Sequence, residues 1–411
     1  MHENGTSVHD SQKKMRVLLS VQQVRRDIPL LDELVYFDSA SVSPPVRPVV
    51  DTMSEYYTRF PFNYGVGVFK DSIQVTKKLE DARNRVAKFI DARPTEVVFT
   101  KNTTEAINIV ARGLDWKKND EVIITSIEHQ SNYIPWLQLA RDRGVRVKVA
   151  KADTSGIIDV GEIERSIKKE TKLVSIAHVS NVLGTIENVS EICKIAREHD
   201  VICMVDAAQS VGRLEFSVRE IQCDFAAICG RKSIGGPQGT GVLFGRDGSL
   251  ELLRPLETGS RAADLLSDHD FRTKPSPLKF EAGVLNTAGF LGLGKAVDYL
   301  QKLGIGAIRN RIRKLTEYAI DQLRELNDLE IYGPLESNLQ AGIISINVKH
   351  KGPGYVAKRL DSLGRIAVGS GNHGSLAALE TIGVHGTVRL SFHCYNTEKE
   401  IDKLAKLLPR T

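Results

Sequence analysis

The chain has 411 residues, 41% of them hydrophobic and 26% charged, with a net charge of +5 spread along its length. That is enough for a large buried core and about two domains, and too diffuse a positive charge to point to nucleic acid. No apolar run approaches the roughly 18 residues that span a bilayer, and the polar N-terminus lacks the apolar centre of a signal peptide, so a cytoplasmic protein without a membrane partner is expected. Five cysteines (Cys193, Cys203, Cys223, Cys229, Cys394) show no CxxC or Cys/His zinc spacing, and their odd number argues against a disulfide framework. No metal site is expected.

In chain order, residues 1–14 are polar and aperiodic, and disorder is expected there. A helical pattern over Val17–Val24 leads to Leu34–Ala40, a turn at Pro44-Pro45, and a helix over Val46–Tyr57. Asn63–Gly67 reads as a loop. Over Ser72–Ile90 the residues Ile73, Leu79, Ala82, Val86 and Phe89 fall near one helical face. Seven β-rich runs follow, Val97–Thr100, Glu121–Thr125, Val145–Ala150, Leu173–Ala177, Val201–Val205, Phe225–Cys229 and Val242–Phe244, largely separated by helical patterns. Several lack polar alternation, which predicts an α/β fold with a mostly parallel seven-stranded sheet covered on both faces. After about Asn286 a smaller α+β domain is predicted. Its signs are Ile308, Ile312, Leu315, Ala319, Leu323 and Leu326 at helical spacing, a strand over Gly342–Val348, and a Thr397-x-x-Glu400 capping box. The divisions expected are an N-terminal segment 15–35 packing on the small domain, a large domain 36–286 and a small domain 287–411.

Sheets of this kind place their sites at the carboxyl ends of strands. Polar groups stand there after five of the runs: Asn102–Glu105, Glu128-His129, Asn181, Asp206–Gln209 and Lys232. Lys232 lies in a glycine-rich stretch, Cys229–Gly241, beside a second cation, Arg231; an amine so placed has a lowered pKa and attacks carbonyls. Asn102-x-x-Glu105 is a capping-box pattern that puts Thr103 and Thr104 in the first helical turn, where free N–H groups and hydroxyls bind phosphate. Asp206 at a strand end suits a protonated ring nitrogen, and His129 suits stacking on a flat ring or proton transfer. Each residue alone has a plainer reading: a solvated lysine, a helix cap, a turn carboxylate, a hydrogen-bonded histidine. Together they describe a site for pyridoxal 5'-phosphate.

The segments Tyr36–Ala40, Asn102–Asn108, Glu128–Asn132, His178–Thr185, Val205–Gln209, Phe280–Gly283 and Arg389–Thr397 resemble the class V aminotransferase superfamily, most closely its cysteine desulfurase and selenocysteine lyase branch. The resemblance implies a two-domain, fold-type I pyridoxal-phosphate homodimer. In it Lys232 is the Schiff-base lysine, Thr104 contacts phosphate, His129 stacks on the ring, Asp206 pairs with the ring nitrogen and Gln209 bonds the phenolic oxygen. Asn181 and Arg389 meet the substrate carboxylate. Two departures stand out. Where desulfurases of the branch carry an arginine and, five residues on, the sulfur-accepting cysteine, this chain has Gly369 and Gly374. The usual Ser-Gly-His-Lys reads Cys229-Gly230-Arg231-Lys232, so Cys229 and Arg231 are expected at the phosphate, and a threonine normally lent by the partner subunit appears as Val284. The stretch Gly369–Gly374 reads as a flexible loop that leaves space over the cofactor.

The expected function is therefore a transaminase or cysteine-independent carbon–sulfur or carbon–selenium lyase acting on a free amino acid. The alternatives are a desulfurase with a displaced acceptor cysteine, which would need a sulfur-acceptor protein, and a non-catalytic cofactor-binding relative.

Overall fold

A computed structural model describes residues 20–411; the expectations for residues 1–14 and for the start of the first helix lie outside them. The first strand, β1 (Val35–Phe37), precedes the main sheet. That sheet is built from β2 (Val97–Thr100), β3 (Glu121–Thr125), β4 (Arg146–Ala150), β5 (Thr171–Ala177), β6 (Ile202–Asp206), β7 (Phe225–Cys229) and β8 (Gly241–Gly245). Their order is β2-β8-β7-β6-β5-β3-β4; β8 is antiparallel to both neighbours, and the other pairings are parallel. All seven predicted runs are strands of this sheet.

The missing polar alternation has a direct cause. Successive residues point to opposite faces, and both faces are buried: Phe99, Ile123, Val174, Val205 and Val242 join one core, while Val98, Val122, Leu173, Met204 and Leu243 join the other. Each fully buried aliphatic side chain is worth about 1.5–3 kcal/mol relative to exposure, so neither face tolerates a polar period. Only the edge strand β4 is largely uncovered.

Helix Lys70–Phe89 forms as expected, but its buried stripe is Ser72, Val75, Leu79, Ala82, Arg83 and Val86, with Ile73 57% exposed. The stripe is set by Arg83, which turns inward and is held in a bidentate pair by Glu281 at 2.6 and 2.9 Å; Glu281 also accepts from the Phe99 N–H at 2.7 Å. A second unexpected feature is a disulfide between Cys193, on helix Val189–Glu198, and Cys203 on β6, with Cα atoms 5.4 Å apart.

A hairpin, β9 (Ala263–Ser267) and β10 (Asp270–Thr273), stands on the surface. The second sheet comprises β1 with β11 (Leu329–Tyr332), β12 (Ile343–Val348), β13 (Ile366–Gly371) and β14 (Thr387–Ser391), in the order β1-β13-β14-β12-β11. The early strand β1 thus pairs, in parallel, with β13, more than three hundred residues later. Helix Ile305–Arg324 joins the two halves of the molecule: Ile308 and Ile312 enter the core of the large sheet, whereas Leu315, Ala319 and Leu323 enter that of the second. The Thr397–Glu400 capping box is present, and Glu400 pairs with Arg25 at 2.8 Å, tying the N-terminal helix Val21–Arg26 to the C-terminal one. Among the described residues no helix is long and apolar enough to cross a membrane.

Candidate active site

The carboxyl ends of the parallel strands and the seam between β1, β13 and β14 enclose a cavity of about 510 Å³. Asp38, Ser41, Thr103, Thr104, His129, Asn181, Asp206, Gln209, Cys229, Arg231, Lys232 and Arg389 all line it. The ten residues expected from the sequence are therefore brought to one place, joined by Asp38 and Ser41.

Lys232 follows β7 in a tight turn closed by Gly235 N–H to Lys232 O at 2.8 Å and Gly236 N–H to Gly230 O at 2.8 Å. The next residue, Ser233, bonds the Arg213 guanidinium, and its carbonyl accepts from His393 Nε2 at 3.0 Å. The turn that carries the lysine is thus braced by the second sheet. Burial pushes the Lys232 amine down from the ordinary lysine value; Arg231 and Arg389 add to that shift, while Cys229 and Asp206 oppose it. Asp206 ends β6 with Oδ1 accepting from Ala208 N–H at 2.9 Å, and burial pushes its carboxyl up against the pull of Lys232.

Helix Thr103–Gly113 begins at the end of β2, capped by Asn102 Oδ1 accepting from Glu105 N–H at 2.9 Å. The expected capping box is only half formed, because the Glu105 carboxylate reaches back to Lys101 N–H, one residue before the cap. The Thr103 hydroxyl is buried without a partner, and that of Thr104 donates to Ser131 Oγ at 2.8 Å. Ser131 also fixes His129: its N–H donates to His129 Nδ1 at 3.1 Å, which leaves the proton of the neutral ring on Nε2. Burial, then the charges of Lys232, Arg389 and Arg231, lower His129 to about 4, so it is neutral at physiological pH. The preceding residue, the buried Glu128, accepts from Thr125 Oγ1, Asn132 Nδ2 and Ala177 N–H at 2.6–2.9 Å, and burial raises it to about 8. One end of the Gln209 amide donates to Ala40 O at 2.9 Å, and Oε1 has no partner.

On the opposite wall, Arg389 of β14 donates to Asn181 O at 3.0 Å, Asp38 Oδ1 at 3.1 Å and Ser41 Oγ at 2.7 Å; its Nε is buried and unpartnered. Arg231 donates to the carbonyl of the same Ser41. The Asn181 amide holds the neighbouring loop, donating to His373 O at 2.9 Å and accepting from Ser375 Oγ at 2.8 Å. The stretch expected to be a loop over Gly369–Gly374 is strand as far as Gly371, because Gly369, Ser370 and Gly371 pair with Arg389, Val388 and Thr387. Only 372–374 turn, and Gly374 adopts φ +69° with its carbonyl accepting from Gln130 N–H at 2.7 Å. A Cβ there would lie 2.7 Å from His129 Nε2, so this loop conformation has no room for a side chain at 374.

Sequence reasoning assigned no role to Asp38, Ser41, Ser131 or His373. Asp38 and Ser41 follow the first strand at a proline-marked turn, which is the one local signal for them; Ser131 follows His129 by two. His373 Nε2, 2.9 Å from Thr387 Oγ1 and 3.1 Å from its carbonyl oxygen, left no sequence trace.

Residues 35–404 match the family described as Aminotransferase class-V. A probable cysteine desulfurase of Methanothermobacter thermautotrophicus is 44% identical over 395 residues, covering 95% of this chain and 98% of that protein. The apo structure of a cysteine desulfurase from Thermococcus onnurineus superposes with a TM-score of 0.92 at 38% identity, covering 95% of this chain and 97% of that one. The cysteine desulfurase CsdA of Escherichia coli, solved as the S-sulfonic acid, gives 0.89 at 28% identity, covering 96% and 98%.

Proposed function

The chain belongs to the class V aminotransferase family of pyridoxal-phosphate enzymes, and from that premise we propose that it acts on a free amino acid by transamination or cysteine-independent carbon–sulfur or carbon–selenium cleavage. The residues fit the cofactor. A helix N-terminus with the unpartnered Thr103 hydroxyl offers a phosphate site, and Gln209 presents an unspent amide end. Asp206 supplies a buried carboxylate and Lys232 a depressed amine.

Lys232 would hold pyridoxal phosphate, which would supply an electron sink for charge developing at the substrate α-carbon. Asp206 would favour a proton, and so positive charge, at the ring nitrogen. His129, neutral and fixed by Ser131 with its proton on Nε2, would lie against the ring. Arg389, aligned by Asp38, Ser41 and the Asn181 carbonyl, grips the substrate carboxylate. Lys232, its amine pushed down by burial, would be the group placed to move the α-proton. Asn181 positions both Arg389 and the 372–375 loop. Exposed Val66, Val68, Phe69, Leu265, Phe271 and Val284 support a homodimer. Arg261 bonds Asn63 and Tyr64, and Tyr64 Oη accepts from Leu285 N–H, so these segments lie together on one apolar surface.

The observation that carries cysteine-independent chemistry is Gly374, packed against His129 where a sulfur acceptor would be needed. Cys223, Cys229 and Cys394 are buried, and burial holds the Cys223 and Cys394 thiols at about 12, far from the reactive thiolate. The second reading, a desulfurase with a displaced acceptor, draws on the 44% identical relative and on Cys229 at the cavity wall. Incubation with cysteine followed by intact-protein mass spectrometry decides between them. No sulfur adduct is expected, with keto acid, sulfide or alanine released from the preferred substrate. A stoichiometric adduct on one cysteine whose replacement stops turnover establishes the second reading instead.

A further inference from the structure

Three cationic side chains line the cavity, and they are not equally matched. Lys232 faces Asp206 at the sheet end, and Arg389 is paired with Asp38 at 3.1 Å and held from two further sides. Arg231 has no carboxylate partner among the described residues; its guanidinium donates to the Ser41 carbonyl alone. Ser41 therefore carries two guanidinium groups, Arg389 on its hydroxyl and Arg231 on its carbonyl, both lining the same cavity. A guanidinium offers five donors in a fixed fork, and one without a counter-charge in a cavity keeps donors free for an anion that enters it. The α-carboxylate of an amino acid satisfies one such fork. The same cavity is lined by neutral groups that suit an anion's remaining lone pairs, Ser370, Asn372 and the neutral His129.

Resting on the reading above, we propose that Arg231 is a specificity-determining residue and that the preferred substrate is an α-amino acid whose side chain carries an anion, its α-carboxylate on Arg389 and its side-chain anion on Arg231. This departs from the resemblance, which puts Arg231 at the cofactor phosphate: its guanidinium turns instead to Ser41, the residue that also meets Arg389, and the phosphate is left to Thr103, Thr104 and the helix N-terminus. The pairing favours acids over their amides because an amide presents an N–H₂ group to a guanidinium that can only donate.

The test is titration of the holoenzyme's visible cofactor band with L-aspartate and L-asparagine, L-glutamate and L-glutamine, and L-alanine. At least one acid is expected to bind about tenfold or more tightly than its amide. In Arg231→Gln that preference falls to near unity while the affinity for L-alanine and the cofactor content hold; Arg231→Lys restores part of it. Equal affinity of acid and amide in the unaltered protein overturns the proposal. So does loss of cofactor from Arg231→Gln with the acid preference intact, which makes Arg231 a phosphate contact. A protein that binds the cofactor but whose band answers to no amino acid overturns the underlying amino-acid reading, and this inference with it.

Discussion

The two walls of the cavity are built by different means. On one, Asp206, Lys232, Thr103 and His129 follow the carboxyl ends of β6, β7, β2 and β3, so each is placed by the strand that precedes it. On the other, Arg389 meets Asp38 across 351 positions and Asn181 meets Ser375 across 194, at a seam that exists only once β1, β13 and β14 have paired. The first wall is rigid because both sheet faces are packed; the second is held by hydrogen bonds among side chains and loop backbone. Damage to the first should therefore appear in the cofactor, and damage to the second in substrate affinity.

The largest effect tests the first wall. Lys232→Ala should abolish the visible absorption of bound cofactor and its reduction by borohydride, with turnover lost by roughly 10²–10⁴-fold or more, the loss expected on removing the base proposed for the α-carbon. An unchanged spectrum would mean that another amine holds the aldehyde. Next, Arg389→Ala should leave that spectrum intact and weaken amino-acid binding by about tenfold or more, the loss of a charge-assisted contact worth about 1.5–3 kcal/mol. Equal loss of cofactor would erase the distinction between the walls.

The same division decided what the sequence disclosed. Strand-end residues are legible because an apolar run followed by a polar group marks the position locally; Asp206 after Val201–Val205 and Lys232 after Phe225–Cys229 gained their meaning from recurring at five strand ends together. Asp38 and Ser41 have no local chemistry. They matter because Arg389 arrives from the far end of the chain, and nothing in the turn at Pro44-Pro45 encodes that arrival. The inward Arg83 was likewise hidden, since a charged residue reads as helix surface until its partner Glu281 is known. Gly369–Gly371 read as loop because glycine is a poor strand former, yet β14 supplies the pairing that overrides this.

A third test uses two buried histidines outside the cavity lining, His178 just after β5 and His393 just after β14. His178 and His393 are both lowered to about 4, chiefly by burial, against about 6.5 in an unfolded chain. The folded values lie below the unfolded ones. The stability they contribute is thus complete above about pH 6.5 and is lost as pH falls through 4. Unfolding in that window takes up as many as two protons from this pair, each giving a slope of about 1.4 kcal/mol per pH unit. Urea unfolding at pH 7 and pH 5 should show the drop, and His393→Gln should flatten it by up to one proton. An unchanged slope in that variant would show that His393 does not carry the acid sensitivity.

The smallest effect is placed where the walls touch, at Gly374. Two costs meet there: a left-handed φ of +69°, worth about 1–2 kcal/mol to a residue with a side chain, and a Cβ only 2.7 Å from His129 Nε2. The His129 ring cannot retreat freely, because Ser131 N–H holds Nδ1. The loop should give instead, since it is fixed by Gln130 N–H on the Gly374 carbonyl and by the Asn181 amide on its two flanks. Gly374→Ala is therefore expected to cost about 1–2 kcal/mol of stability in urea unfolding. It should also release the loop, seen as faster amide hydrogen exchange over 372–375 and weaker substrate binding, with the cofactor spectrum unchanged. If the spectrum shifts while the loop stays protected, His129 has moved and the first wall is the softer one.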